Sequence, residues 1–324
     1  MPLGTAALTD SGEAGQLPAV SETDLGSLKA GGKAAVARAL ASLERAPEAA
    51  PTLTLLDAAY GAPGGQVLGI TGPPGVGKST LIGALIRALR AEGRSVAVIA
   101  VDPSSKRSGG ALLGDRTRFA VDAADSGVFV RSMAARARLG GLAELTYPAV
   151  ILLRALFDLV IVETVGVGQS ETDVAGVADS VIFCVQPGSG DSLQFMKAGI
   201  VEIPHIAVVT KADLGAPARR ALADLKGALG LAVAEDGGWP VRCEAVAAAE
   251  ATDVARLLEA FAAHRDWLAE AGRLDAARRA QAEAWLEDAL RDRYGRRGLA
   301  KAGPLTLAAG ESPFRRLARI EEEL

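Results

Sequence analysis

The segment Gly72-Pro73-Pro74-Gly75-Val76-Gly77-Lys78-Ser79 completes the pattern G-x-x-x-x-G-K-[ST] and constrains this chain more than any other stretch. It follows the apolar run Val67-Leu68-Gly69-Ile70 and precedes Leu81-Ile82-Gly83-Ala84-Leu85-Ile86, so it stands where a strand hands over to a helix. Glycines let the backbone curl until successive N–H groups converge, forming an anion nest at a helix N-terminus. The pattern predicts that Gly72 to Thr80 cradle the phosphates of a nucleoside triphosphate. Lys78 would reach the β- and γ-phosphates, and Ser79 would place its hydroxyl on Mg²⁺.

The 324 residues suffice for a substantial core, and with 49% apolar but only 4% aromatic residues that core must be built from Ala, Val and Leu. A formal net charge of −4 provides no basic field for nucleic acid or an anionic membrane. Cys184 and Cys243 stand far apart, which excludes a disulfide framework and a C-x-x-C metal site. Residues 1–27 lack a basic segment followed by an apolar core, so no signal peptide is expected. The longest apolar stretch, Ala149 to Val162, is interrupted by Arg154 and Asp158 and is too short to span a bilayer. A cytoplasmic location fits these features.

Residues 1–27 are rich in Gly, Ser, Thr and acidic residues, the composition of a frayed terminus. Val36, Leu40 and Leu43 mark an amphipathic helix; Pro47 and Pro51 break it, and Thr52 is placed to N-cap a second helix. Short β-branched runs then alternate with helical stretches: Val67–Thr71, Val96–Val101, Val128–Arg131, Leu159–Glu163, Val181–Val185, Ile206–Thr210 and Val241–Cys243. Continuous apolar runs of this kind belong to a mostly parallel sheet covered on both faces, a doubly wound α/β domain. Beyond Val246 the pattern is helical, with a stripe at Ala282, Trp285, Leu286, Ala289, Leu290 and Tyr294 that suits either internal core or a dimer face. The expected organisation is a helical extension over residues 28–62, an α/β domain over 63–265 and a helical dimerisation extension over 266–324.

In such a sheet the ligand lies beyond the carboxyl ends of the strands. Asp102, Asp115 and Glu163 sit at or just past such ends, and with Ser79 they make a candidate Mg²⁺ set of hard oxygen donors. Glu163 holds the position of a Walker B carboxylate. Gly166, shortly after it, is placed to direct a backbone N–H at the γ-phosphate, and Gln169 to orient water. The segments from Lys106 to Arg118 and around Gly166 are candidate switch loops. Thr210-Lys211-Ala212-Asp213 addresses the base: a carboxylate accepts two hydrogen bonds from the N1–H and N2–H₂ edge of guanine but faces an acceptor at N1 of adenine. Lys211 would lie over the base. Cys243-Glu244-Ala245, read as following the last strand, would offer a backbone N–H to guanine O6.

These residues resemble the MeaB/ArgK-type GTPases, which assist adenosylcobalamin-dependent acyl-CoA mutases. The most specific strings are Val98 to Ser105, Leu113 to Arg118, Val162 to Glu171, and Pro187-Gly188-Ser189-Gly190-Asp191 with Lys197. The resemblance covers about Leu28 to Trp267. It implies a P-loop GTPase domain with N- and C-terminal helical extensions, GTP/GDP and Mg²⁺ as cofactors, a homodimer, and a mutase such as methylmalonyl-CoA mutase as partner. It places Lys78 on the phosphate lysine, Ser79, Asp102, Asp115 and Glu163 in the Mg²⁺ region and Asp213 on the guanine-specifying aspartate; with Gln169 from the reading above, Lys78 and Glu163 make the turnover set. Gly188, Gly190, Asp191 and Lys197 fall in a further switch loop facing the partner, and Lys106 in an earlier one. Three positions depart from the family pattern: Thr210 stands where Asn bridges base and P-loop, Glu244 where Ser is usual, and Arg138 where His is common. A metallochaperone reading lacks ligands, with only His205, His264 and two separated cysteines. An ATP-dependent kinase or transport ATPase would leave Asp213 and the switch strings unexplained.

Overall fold

The structure is a computed structural model that describes residues 24–102, 119–122, 124–134, 145–164, 173–188, 203–229 and 238–324. Seven strands form one sheet: β1 (Gln66–Thr71), β2 (Val96–Asp102), β3 (Val128–Ala134), β4 (Leu159–Thr164), β5 (Ser180–Val185), β6 (Ile206–Thr210) and β7 (Arg242–Val246). Their order is β3-β2-β4-β1-β5-β6-β7, and every neighbouring pair is parallel. The helices are α1 (Leu25–Arg45), α2 (Ala50–Gly61), α3 (Lys78–Ala91), α4 (Thr146–Leu156), α5 (Ala216–Leu229), α6 (Ala251–Ala269), α7 (Arg273–Ala302) and α8 (Pro313–Glu323).

Both faces of the sheet are covered, as the unbroken apolar runs require. Leu68, Ile70, Leu159, Ile161, Ile182, Ile206 and Val208 pack with α3 and α6 on one face. Val67, Val160, Val162 and Val181 pack on the other face against α1, α2, α4, α7 and α8. Ala207 and Val209 complete that second face against α5. Because successive strand residues point to opposite faces, Glu163 falls in step with Leu159 and Ile161, toward α3.

The terminal helices share one core. Trp285 of α7 stacks on Tyr147 of α4 with centroids 5.4 Å apart and meets Phe314 of α8 edge-on at 4.9 Å. Arg278 of α7 forks onto Asp179 at 2.8 and 2.7 Å and donates to Gly65 O at 3.0 Å, and Asp179 also accepts from Val67 N–H at 2.8 Å. The last helices are thereby fastened to the root of β1.

Two details depart from the reading of the sequence, and a third decides between its alternatives. Asp24 caps α1 through Ser27 N–H at 2.6 Å, so that helix begins before residue 28. Thr52 does not cap α2; Ala49 holds the cap position and Pro51 lies in the first turn, where its missing N–H costs no hydrogen bond. The stripe on α7 is not a free face. Ala282, Leu286 and Leu290 are fully buried in the core of the same chain, Ala289 is 3% exposed, and only Tyr294 at 41% lies open. Helix α6 runs unbroken from Ala251 to Ala269. Among the described residues no helix is long and apolar enough to cross a membrane.

Candidate functional site

The turn from β1 into α3 is made possible by glycine. Gly72, Gly75 and Gly77 have φ of 137°, 73° and 105°, a range L side chains rarely enter. At Gly72 a Cβ would lie 2.3 Å from Cys184 O, so the loop rests directly on the backbone of β5. Burial pushes the Cys184 thiol up to about 12, which leaves it as inert packing beneath the loop. Lys78, the first residue of α3, is 5% exposed, and its Nζ donates to Gly72 O at 2.6 Å and Pro73 O at 3.0 Å. Pro74 and Thr80 are exposed, while Val76 is buried beneath the loop.

Glu163 near the end of β4 is 1% exposed, and Ser79 Oγ donates to its Oε1 at 3.1 Å. Beside it Thr164 Oγ1 donates to Thr71 Oγ1 at 3.0 Å, tying the ends of β4 and β1. Lys78, Ser79 and Glu163 are thus brought together by the loop, a helix N-terminus and the neighbouring strand. Asp102 closes β2 beside them, its backbone in register with Ala134. The side chain of Asp102 lies outside the described residues, as do Lys106, Asp115, Arg138, Gly166, Gln169, Gly190, Asp191 and Lys197. Gly188 is exposed with φ 79°. Among the described residues no three His, Cys, Asp or Glu side chains converge as a metal group.

On the other side of the loop, Thr210 Oγ1 reaches Val76 O at 2.6 Å and Val185 O at 3.0 Å. Its one hydroxyl hydrogen serves these two carbonyls. Lys211 follows in the left-handed region with φ 55°, and its Nζ donates to Gln186 Oε1 at 2.6 Å and Gly75 O at 3.3 Å. Asp213, in the tight turn Ala212–Leu214, is exposed and makes no hydrogen bond or ion pair to a described residue.

Cys243, Glu244 and Ala245 do not follow the last strand; they lie within β7, opposite Ala207, Val208 and Val209. This edge strand is half-exposed, so it accommodates Glu244 and continues to the buried Val246. The residues after it are Ala247 to Glu250, with Ala247 N–H held by Asp253 Oδ2 at 2.9 Å. Sequence reasoning also passed over Gln186. Its one signal was a polar residue at the carboxyl end of the apolar run Val181–Val185, the same kind of position that marked Asp102 and Glu163.

A cavity of about 320 Å³ opens elsewhere, lined by Leu53, Leu56, Trp285, Phe314 and Leu317 among others. It lies where the terminal helices meet and shares no lining residue with the phosphate loop.

The comparisons with known proteins converge on the same class. The family described as "Methylmalonyl Co-A mutase-associated GTPase MeaB" matches residues 36–302. GTPase ArgK of Escherichia coli is 37% identical over 265 residues, covering 80% of each chain. The mouse protein named methylmalonic aciduria type A homolog, mitochondrial, is 36% identical over 222 residues, 68% of this chain and 54% of that one. A crystal structure described as an LAO/AO transport system kinase superposes with a TM-score of 0.66 at 30% identity, covering 92% of this chain and 95% of that one.

Proposed function

Since this chain belongs to the MeaB family of GTPases, and is itself a P-loop GTPase that binds GTP and GDP, we propose that it couples hydrolysis to chaperoning an adenosylcobalamin-dependent acyl-CoA mutase. The observation that carries this reading is the match of residues 36–302 to a family described by its association with methylmalonyl-CoA mutase. The mouse relative, named for methylmalonic aciduria, supports it. The work done on the mutase would be cofactor loading, protection or reactivation.

Ser79 and Glu163, a hydroxyl and a carboxylate oxygen 3.1 Å apart at a helix N-terminus, fit the hard-oxygen chemistry of Mg²⁺. With Asp102 and Asp115 they would hold that ion, which would supply charge neutralisation on the phosphates. Lys78 would leave its carbonyl partners for the phosphates and stabilise charge on the γ-phosphoryl group as it transfers. Gln169 would orient the attacking water, and Gly166 would direct an N–H at the γ-phosphate. Asp213 would read the guanine edge with Lys211 over the ring. Switch segments holding Lys106, and Gly188 to Lys197, would carry nucleotide state to the partner. A homodimer would use a surface other than the buried stripe on α7.

The test is the GTPase rate with and without a purified cobalamin mutase, together with co-purification in the GDP and GTP states. Stimulation or nucleotide-dependent association is expected; a mutase that neither binds nor accelerates in either state would overturn the reading. The solved neighbour, named as a transport system kinase, favours a second reading, an ATP-dependent kinase. Competition of ATP against bound GDP separates the two.

A further inference from the structure

We infer that Gln186 is a positioning residue for guanine recognition, acting through Lys211. The inference rests on the reading that Lys211 covers the base, and it explains how this chain readies that lysine.

Gln186 follows directly on β5 and is half-buried. Its Oε1 accepts from Lys211 Nζ at 2.6 Å, and the same ammonium spans to Gly75 O at 3.3 Å. One residue earlier, Thr210 Oγ1 makes the same span, from Val76 O to Val185 O. Two consecutive residues at the end of β6 therefore each bridge the phosphate loop and the end of β5. Lys211 also holds a left-handed backbone, φ 55°, which lysine rarely adopts and which aims its side chain from a fixed origin.

A lysine stem in water is among the most mobile of side chains, and ordering it on a ligand subtracts from binding. The Gln186 amide removes much of that mobility beforehand. Thr210 is occupied as a donor to Val76 O and Val185 O, and among the described residues the Lys211 ammonium is held by Gln186 Oε1 and Gly75 O. Gly75 O alone, at 3.3 Å, is the longer of the two contacts. Gln186 also sits directly before the turn at Pro187-Gly188.

The test compares Gln186→Leu and Gln186→Glu in the full chain, by GDP titration and by competition with inorganic triphosphate, a probe without a base. Leucine keeps the shape but removes the acceptor, so the Kd for GDP should rise roughly fivefold or more. Triphosphate binding and kcat at saturating GTP should stay within about twofold of wild type, since neither depends on contacts to the base. Glutamate keeps an acceptor and should restore GDP affinity. In a Lys211→Met background, Gln186→Leu should add no further loss, because the two act as one unit. Unchanged GDP affinity in Gln186→Leu overturns the proposal while leaving guanine binding intact. Equal losses for GDP and triphosphate, or additive losses with Lys211→Met, overturn it as well. A wild-type chain that binds no GDP would fail the guanine reading itself, and this proposal with it.

Discussion

The Thr210 hydroxyl lies 2.6 Å from the carbonyl of Val76, so the residue that ends β6 is tied to the middle of the phosphate loop. A threonine here keeps the tether to the loop but has no amide to spare for a base. Thr210→Val should weaken GDP binding several-fold, since losing one buried hydrogen bond and stranding two carbonyls costs about 1–3 kcal/mol. Thr210→Asn, which brings two N–H donors and an acceptor, should bind GDP at least as tightly as wild type. Isothermal titration of both variants checks this.

Asp213 is exposed and has no partner among the described residues, as suits a carboxylate reserved for a ligand. Asp213→Asn replaces one acceptor with a donor. GDP affinity should fall by about tenfold or more, while xanthosine diphosphate, with a carbonyl facing the new donor, gains. Competition binding with both nucleotides decides the matter; an unchanged preference would remove Asp213 from base recognition.

Glu163 is buried against Ser79 at the mouth of α3. Glu163→Gln preserves its volume and removes its charge, and should slow GTP hydrolysis by at least about tenfold at saturating Mg²⁺. The Mg²⁺ concentration giving half-maximal rate should rise in parallel. Hydrolysis at wild-type rate would dismiss the metal role.

At the amino ends of β5 and β6, His264 stacks on His205 at 4.0 Å, with Trp239 and Trp267 packed around it. Burial, reinforced by the neighbouring His205, pushes His264 down to about 3, and burial pushes His205 down to about 4. Val181 N–H donates to His205 Nδ1 at 3.0 Å, which commits that nitrogen as an acceptor. Arg273 over Trp267 and Arg242 over Trp239 add positive charge at the rim. Both folded values lie below the ordinary 6.5, so the unfolded chain takes up protons first as pH falls. Stability should be full above pH 6.5 and decline toward pH 4. The fully buried His264 alone would contribute roughly 2 kcal/mol of loss between pH 7 and 5, with less from the partly exposed His205. Urea midpoints across that range, flattened in His264→Phe, test this.

Leu286 is fully buried among the terminal helices. Leu286→Ala should cost about 2–5 kcal/mol. Truncation before Arg273 should give an aggregating chain that binds a hydrophobic dye, because it uncovers Tyr147 and the apolar residues of the shared core that α7 and α8 cover. A soluble, nucleotide-binding monomer from that truncation would contradict the shared core.

All seven strands were legible because parallel strands buried on both faces are written as plain apolar runs. The exceptions in detail are β3 and β7, the two edge strands, each of which runs three residues beyond its apolar signal: Arg131 and Ser132 interrupt the run in β3, and Arg242 and Glu244 interrupt it in β7. The phosphate loop and Glu163 were legible for a similar reason: spacing and strand-end position are local signals. The stripe on α7 was visible, but periodicity says which residues face an apolar surface and not whose surface it is. Contacts such as Lys211 with Gln186, 25 residues apart, or Arg278 with Asp179, 99 apart, leave no periodic mark at all. They exist only once the folded chain has brought those elements together.

The shared core of the first and last helices also sets an order of events during synthesis. Helices α1 and α2 are made well before Leu286, Phe314 and Ile320, which close over the same core. At about 5–20 residues per second the apolar side of the early helices waits some tens of seconds for its cover. A nascent chain of this protein therefore carries a sticky flank until α7 and α8 have emerged, and a ribosome stalled before them should release a product that aggregates even though its nucleotide loop is complete.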